Sequence, residues 1–591
     1  MLPMAELGLL ISHVLNRRPT LAKRYVEALR KHPATRSRPW NLIAGFDEYK
    51  PGSQLNYEES KKIMCMYVNF RETFSTTSGS WFTPLLFRSR MASLVSGGTS
   101  HIFAYFFKRA LFGPHGLATV GISFQHEGNN YVIHAQLGNL LSDGDGLRVA
   151  LGWRGANSFK PCSRHINVWK KNSGLAHRLD EVEITCTDYR RFRVCTKQEF
   201  LDNCDMVEEG SRRFENGDIT QTMFETVRNL HGMSFIPGGL SYDPELRRRC
   251  DIIGAVTVDW VHTFFQDGIV SVEAWLVLTA CQADVSREDV EAYFQRPWMF
   301  PHSLQTKGEG LHRVFSHYRL DSEGNFDKIR ASASELLGLY ALLHHFLESE
   351  VPRSAATQLS YESFTSCCDV VDWILKVRNG CVADMVHAAS ELRTRYQTFL
   401  NKHMAAHGDG YIRPKHHWAF DVADHWERDV RVLDAFVIER LHLGVKEVAQ
   451  TVDKMPAFEH SVLAQVFNAQ MQILVDIHDD ACLLDARPAT FPSLPNSKFG
   501  DSMEIKGKKI TVFDIVMHGN EVGMLLACVE DVGSLFGIME VWEHVANVSS
   551  TMTRWRRTQN IKLADASDII QAMAWIEAND ASGHVDVLCL V

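Results

Sequence analysis

The chain has 591 residues, 45% of them hydrophobic and 23% charged, with a formal net charge of −9 and 13 cysteines. That length exceeds one ordinary core, so two to four domains are expected, and the composition is that of a folded globular protein. The acidic balance counts against a protein that coats nucleic acid through global charge; cysteines scattered in odd number without a CxxC spacing count against a secreted disulfide scaffold; no apolar run reaches the roughly 18 residues of a membrane span.

Residues 1–38 read as helix. "MLPMAELGLLISHVLNRRP" has Glu6 ahead of its short apolar run and no small-residue cleavage site after it, so a helix is expected there and not a signal peptide. The periodicity then changes to strand. In "WNLIAGFDEYKPG" the apolar run Leu42–Phe46 stops on Asp47 and Glu48 before a Pro51–Gly52 turn. "KKIMCMYVNFRET" (61–73) and "SWFTPLLFRSR" (80–90) are two further strand candidates, and a mixed helical segment spans Ala92 to Phe112. "VGISFQHEGNNYVIHAQLGNLLSD" reads as a hairpin about Glu127–Gly128–Asn129–Asn130 and again ends on an acid, Asp143. The order strand, strand, strand, helix, strand is mixed α/β without regular βαβ alternation. Residues 150–250 are irregular and rich in Cys, His and Arg. From about 251 to 480 helix dominates, a Pro-containing linker occupies 487–502, and short strand-like runs follow.

Two strand-terminal carboxylates, Asp47 and Asp143, are candidates for hard oxygen ligands to paired Mg²⁺ ions, with Asp145 as an alternative second acid. Lys160–Pro161–Cys162–x–x–His165 offers half of a tetrahedral zinc site, and "YIRPKHHWAFDVADHW" offers His416, His417, Asp421 and His425 for the other half. Asp259 and His262 lie one helical turn apart. Glu439, His442 and Lys446 share a helix face by their spacing. Each has an ordinary reading as well: a strand meeting solvent, a buried Cys–His contact, an acid at a helix start, a solvated stripe. Basic clusters at Arg190–Arg193, Arg247–Arg249, Lys506–Lys509 and Arg554–Arg557 would track phosphates only if they shared a surface.

In order along the chain, a strand-terminal Asp, a second Asp followed by "KPCxxH", then "DWVH", "RPKHHxxxxD" and "FVIERLH" resemble the RNase H-like DDE transposases of the broad CACTA/Transib group, in particular transposase-derived proteins of dinoflagellate type. The resemblance covers about residues 38–450. It implies Asp47, Asp143 and Glu439 as the catalytic, Mg²⁺- or Mn²⁺-binding triad, Asp259 and His262 as accessory residues, and Cys162, His165 and His416 as structural zinc ligands. Asp421 stands where the family has a histidine, so the fourth zinc ligand is open between Asp421 and His425. The implied architecture is an RNase H-like core begun by residues 39–150 after the N-terminal helical segment 1–38. A zinc-like and helical insertion (151–425) interrupts it, helices 426–486 complete it, and a small β-rich module (497–591) follows. The implied activity is DNA strand transfer on transposon ends and target in the nucleus, or otherwise the cytoplasm, by a possible homodimer with no membrane partner. The alternatives are a domesticated, inactive nucleic-acid- or protein-binding derivative, favoured by the acidic charge, and a helical interaction protein without catalysis.

Overall fold

The computed structural model describes residues 3–49, 62–74, 80–156, 158–300, 314, 328–452, 457–473, 481–484, 486–488, 497–505, 508–531, 534–572, 574–578 and 583–588. The expected Pro51–Gly52 turn and residues 489–496, the middle half of the 487–502 linker, lie outside the described residues. In chain order the elements used below are α1 (Leu7–Arg17), α2 (Pro19–Lys31), β1 (Trp40–Tyr49), β2 (Ile63–Phe70), β3 (Phe82–Arg88), α3 (Gly98–Phe112), β4 (Ile122–His126), β5 (Asn129–Ile133), β6 (Ala135–Ser142), α4 (Gly144–Leu151), α5 (Lys197–Glu215) and β7 (Val256–Val258). They continue with α6 (Trp260–Phe264), α7 (Ile269–Cys281), α8 (Ala333–Ser349), α9 (Ala355–Arg378), α10 (Met385–His407), α11 (Pro414–Asp429), α12 (Phe436–Thr451), α13 (Phe458–Ile473), β8 (Glu521–Asp531), β9 (Ser534–Asn547) and β10 (Met552–Asp565).

The fold is mixed α/β, with a mixed sheet and a β-rich C-terminal region. Two compact units share the chain: Met1–Asp259 with Leu433–Ile477, and Trp260–Val432 with His478–Val591. In the first, the sheet order is β3-β2-β1-β6-β7. β1, β2 and β3 are antiparallel neighbours; β6 and β7 run parallel to β1. Every residue of β2 and β3 is buried, which is why these strands read as continuous apolar runs without alternation. The expected hairpin turn is made by Glu127 and Gly128, both at positive φ (49° and 77°), between β4 and β5; the remainder of that run forms β6.

One face of the sheet is covered by α12 and α13. Ile43, Cys65, Tyr67 and Leu141 of the strands meet Val437, Ile438, Leu441 and Val445 of α12 and Val462, Leu463 and Val466 of α13. The approach is close at Gly45, where an added Cβ would fall 2.5 Å from Ile438 Cδ1. α13 is tied to β3 by a buried ion pair, Arg88 Nε–Glu459 Oε1 at 2.7 Å, and by Gln470 Nε2 donating to Thr83 Oγ1 at 2.7 Å.

The boundary of the first unit corrects the expected one. Residues 151–259, assigned to the insertion from sequence, stay with the sheet, because β7 is its edge strand and polar ties close the intervening segment onto α3 and α4: Ser100 Oγ to Ala150 O (2.6 Å), Leu240 N to Ser100 Oγ (2.9 Å) and Ser241 Oγ to Leu151 O (2.7 Å).

In the second unit α7 packs on α9, α9 on α10 and α10 on α11. α7 buries side chains all round, Glu273 among them, as a central helix does. The stretch Trp260–Cys281 has the length and hydropathy of a membrane span, unlike what the sequence led us to expect, but 67% of its most apolar window is buried, as in a core helix. The β-rich region begins at Ala481, whose strand pairs with Ser502–Ile505, and its longest strands, β8, β9 and β10, form successive antiparallel pairs. It belongs to the same compact unit as the helices: His345 Nδ1 and Ser549 Oγ are 3.1 Å apart, and Ser550 Oγ donates to Glu348 Oε2 at 2.8 Å.

Candidate active site

Parallel pairing in the first unit aligns three acids. Gly45 pairs with Leu141, and Ser142 pairs with Val258. Continued by two residues and one residue, the same register sets Asp47, Asp143 and Asp259 side by side at the C-terminal ends of β1, β6 and β7, about 4.8 Å from strand to strand. Parity gives the face. Ile43 and Leu141 point into the layer of α12, so Asp47 and Asp143, two or four residues on, project to that same side.

α12 runs across the row. Its start is fixed on Asp259, wholly buried, whose Oδ1 accepts from Ala435 N at 2.9 Å. Seven residues later His442 Nε2 lies 3.4 Å from Asp47 Oδ2. Seven helical residues rise about 10.5 Å and two strand spacings measure about 9.6 Å, so the helix between those fixed points covers the row from β7 to β1. Glu439, half-buried in the first turn and sharing a face with His442, falls near the middle of that crossing, over the end of β6.

The neighbours of each acid differ. Asp47 is about 30% exposed, and its Oδ1 accepts from Glu48 N at 2.7 Å. Glu48, on the opposite face, is occupied by Lys62 and Ser89. Asp143 caps α4, its Oδ1 accepting from Gly146 N at 2.6 Å. Asp145 is exposed within α4 and pairs with Arg148 at 3.1 Å, off the row. Asp47, Asp143 and Glu439 do not form one of the described groups whose ligand atoms all lie within 4.8 Å of one another. A pair of ions about 3.5–4 Å apart spans more than one such tight group.

Behind Asp47 stands a residue that sequence reasoning passed over. Tyr67 on β2 bonds His442 Nδ1 through its hydroxyl at 2.8 Å. Burial, with the Cys65 thiol and the Tyr49 hydroxyl nearby, drives the Tyr67 phenol well above its ordinary range, so it stays protonated. With the Tyr67 hydroxyl donating to Nδ1, the His442 ring carries its hydrogen on Nε2, toward Asp47. Burial pushes the Cys65 thiol, opposite Asp47 on β2, up to about 12, with the Tyr67 hydroxyl opposing and the Asp47 charge adding to the rise.

Buried His, Cys, Asp and Glu side chains that could ligate a metal ion occur in both units. In the first, Cys162 and His165 lie together, Sγ to Nδ1 at 3.5 Å, with His165 N donating to the sulfur at 3.3 Å. Lys160 beside them is held over the Trp169 ring at 3.5 Å, and burial lowers its ammonium to about 8. In the second, α11 carries His416, His417, Asp421 and His425, all buried. The structure groups His416 with Glu273 of α7 and His403 of α10. Sequence reasoning missed those two; the one local signal was His403 and His407, four apart in "NKHMAAH". His262, half-buried on α6, accepts at its carbonyl from Lys415 Nζ at 3.0 Å.

Among the described residues, most arginines of three basic clusters are paired with acids within their own units, and Lys506 of the fourth lies outside the described residues. Arg190 pairs with Asp188, Arg193 with Glu199, Arg247 with Asp205, and Arg249 with Glu245. Arg554, Arg556 and Arg557 pair with Asp586, Glu543 and Glu577. A comparison with protein-family models finds no matching family, and a comparison with curated proteins finds no matching relative.

Proposed function

We propose that the chain is an RNase H-like, transposase-type polynucleotidyl transferase acting on DNA by metal-dependent phosphoryl transfer at Asp47, Asp143 and Glu439. What supports this reading is the parallel register of β1, β6 and β7, which, carried one or two residues past its last pairs, aligns the three acids, together with the helix bearing Glu439, which is tied to Asp259 and lies against Asp47. The run of three antiparallel strands, a helix and a parallel strand ending on Asp143 supports it further, as does the helical segment 260–432 between β7 and α12.

The donor set fits hard divalent cations: carboxylate oxygens, half-exposed and reachable by a phosphate, with no sulfur among them. Mg²⁺ or Mn²⁺ bound there would supply activation of a water or 3′-hydroxyl and stabilisation of the leaving oxygen. The residues of the chain do the positioning. Asp47 and Asp143 hold their carboxylates on one face at fixed strand spacing, Asp259 anchors the helix start that sets Glu439 in register, and the Tyr67–His442 pair orients Asp47. Cys162 and His165 supply two ligands of a structural zinc. DNA ends and target are the substrates, a homodimer the working form and the nucleus the compartment.

The neutralised arginine clusters favour a second reading, a derivative that keeps the fold and has lost strand transfer. One assay separates them. Purified protein incubated with DNA carrying candidate terminal repeats and Mg²⁺ or Mn²⁺ is expected to nick or join strands, and Asp47→Asn to abolish this. Binding without cleavage by the wild type would establish the second reading.

A further inference from the structure

The second unit contains a polar cluster that strand transfer does not use. Glu273 on α7 and His403 on α10 are wholly buried, and His416 on α11 is 2% exposed. One ligand atom from each lies within 4.8 Å of the other two. Glu273 Oε1 contacts His403 Nδ1 directly, and its Oε2 accepts from Ser363 Oγ at 2.8 Å. The His403 and His416 rings are 5.5 Å apart, and the His403 and His407 rings 5.3 Å. The Nε2 atoms of His403, His407 and His416 are all buried with no hydrogen-bond partner.

The Glu273–His403 contact satisfies one nitrogen of His403 and leaves three imidazole Nε2 atoms idle in the same interior. Such groups are costly to bury unmatched. We propose that Glu273, His403 and His416 form a zinc site that fastens α7, α10 and α11 together, with His407, one turn along α10 from His403, the residue that moves in to close the fourth position. Two or three imidazole nitrogens with one carboxylate oxygen are a tetrahedral zinc donor set, and no thiolate is involved. Ser363 orients the carboxylate from the outer shell, as partners of metal ligands do. Metal binding needs neutral imidazoles. Burial first, then the neighbouring His403 and Arg413, holds His416 well below its ordinary range, and burial lowers His407. His416 Nδ1 accepts from Arg413 N at 3.1 Å. Ligation through Nε2 puts the proton on Nδ1 and gives up that contact, a small loss against the coordination energy of a structural zinc. The site is independent of the strand-transfer reading, and DNA plays no part in its test.

The experiment is metal analysis of the full-length protein after incubation with ZnCl₂ and removal of free metal. The wild type is expected to hold zinc, and His403→Ala and Glu273→Ala each to lose about one equivalent per chain that Cys162→Ser retains. X-ray absorption at the zinc edge of the wild type and of Cys162→Ser covers the case in which the ligand variants fail to fold. A nitrogen and oxygen shell with imidazole outer scattering in both supports the site. No zinc in the wild type, equal zinc in wild type and His403→Ala, or a shell of sulfur alone overturns it.

Discussion

The two polar clusters differ in what surrounds them. Asp47, Asp143 and Glu439 of the sheet unit are partly exposed, where a charged substrate can reach them; Glu273, His403 and His416 of the helical unit are buried. Both need close neighbours of one chemical kind, but exposed hard oxygens suit a cation that must meet phosphate, whereas buried nitrogens suit one that only holds helices together. The contrast teaches that burial, as much as ligand type, separates the proposed working site from the proposed fastening.

The largest effect belongs to the working site. Asp47→Asn removes one charge from the proposed metal-binding row and keeps the shape, so Mg²⁺-dependent cleavage is expected to be abolished, a fall of at least about 10²–10³-fold, the scale for loss of one preorganised electrostatic group. A cleavage rate equal to wild type in the nicking assay would break the contrast at its first term.

Next comes the layer that carries Glu439. Arg88→Ala strands Glu459 without its partner inside the α13 contact, with an expected cost of about 3–5 kcal/mol in urea unfolding. The double variant Arg88→Met/Glu459→Leu should recover most of it, since two apolar groups leave no orphaned charge. Ile438→Ala, over Gly45, is expected to cost about 2–4 kcal/mol and to lower cleavage as well, because the helix bearing Glu439 loses its seat on the sheet. Stability lost with cleavage intact would detach Glu439 from the site.

The sequence made the first cluster legible and the second opaque for a physical reason. Asp47 and Asp143 each end an apolar run, and strand endings show in local periodicity. Glu439 and His442 sit on an amphipathic helix whose buried positions, Val437, Leu441 and Val445, are spaced four apart. Their meeting, however, depends on a register between strands, which no local pattern contains. Glu273 lies in a helix buried on all sides, so it stands out by no periodicity, and its partners come from helices more than a hundred residues away. The segment 151–259 was misassigned because β7 is three residues long, too short to announce that the sheet continues.

The smallest effect tests whether imidazoles in the helical unit are neutral, the property its metal site requires. His344 on α8 is 5% exposed, its Nε2 is 3.3 Å from Thr365 Oγ1, and burial lowers it to about 4, with Glu348 opposing and His345 and Arg353 adding to the shift. The unfolded chain protonates this residue near its ordinary value of about 6.5, the folded chain only near 4. Between those values the unfolded state holds the extra proton, so stability rises with pH across the window and is lost as pH falls through it. His344→Gln removes that slope. Between about pH 7 and pH 5 the variant is expected to lose about 1–2 kcal/mol less stability than the wild type in urea unfolding. Parallel losses would mean that His344 takes up its proton in the folded state, and an interior that tolerates imidazolium would not hold the neutral nitrogens that zinc needs.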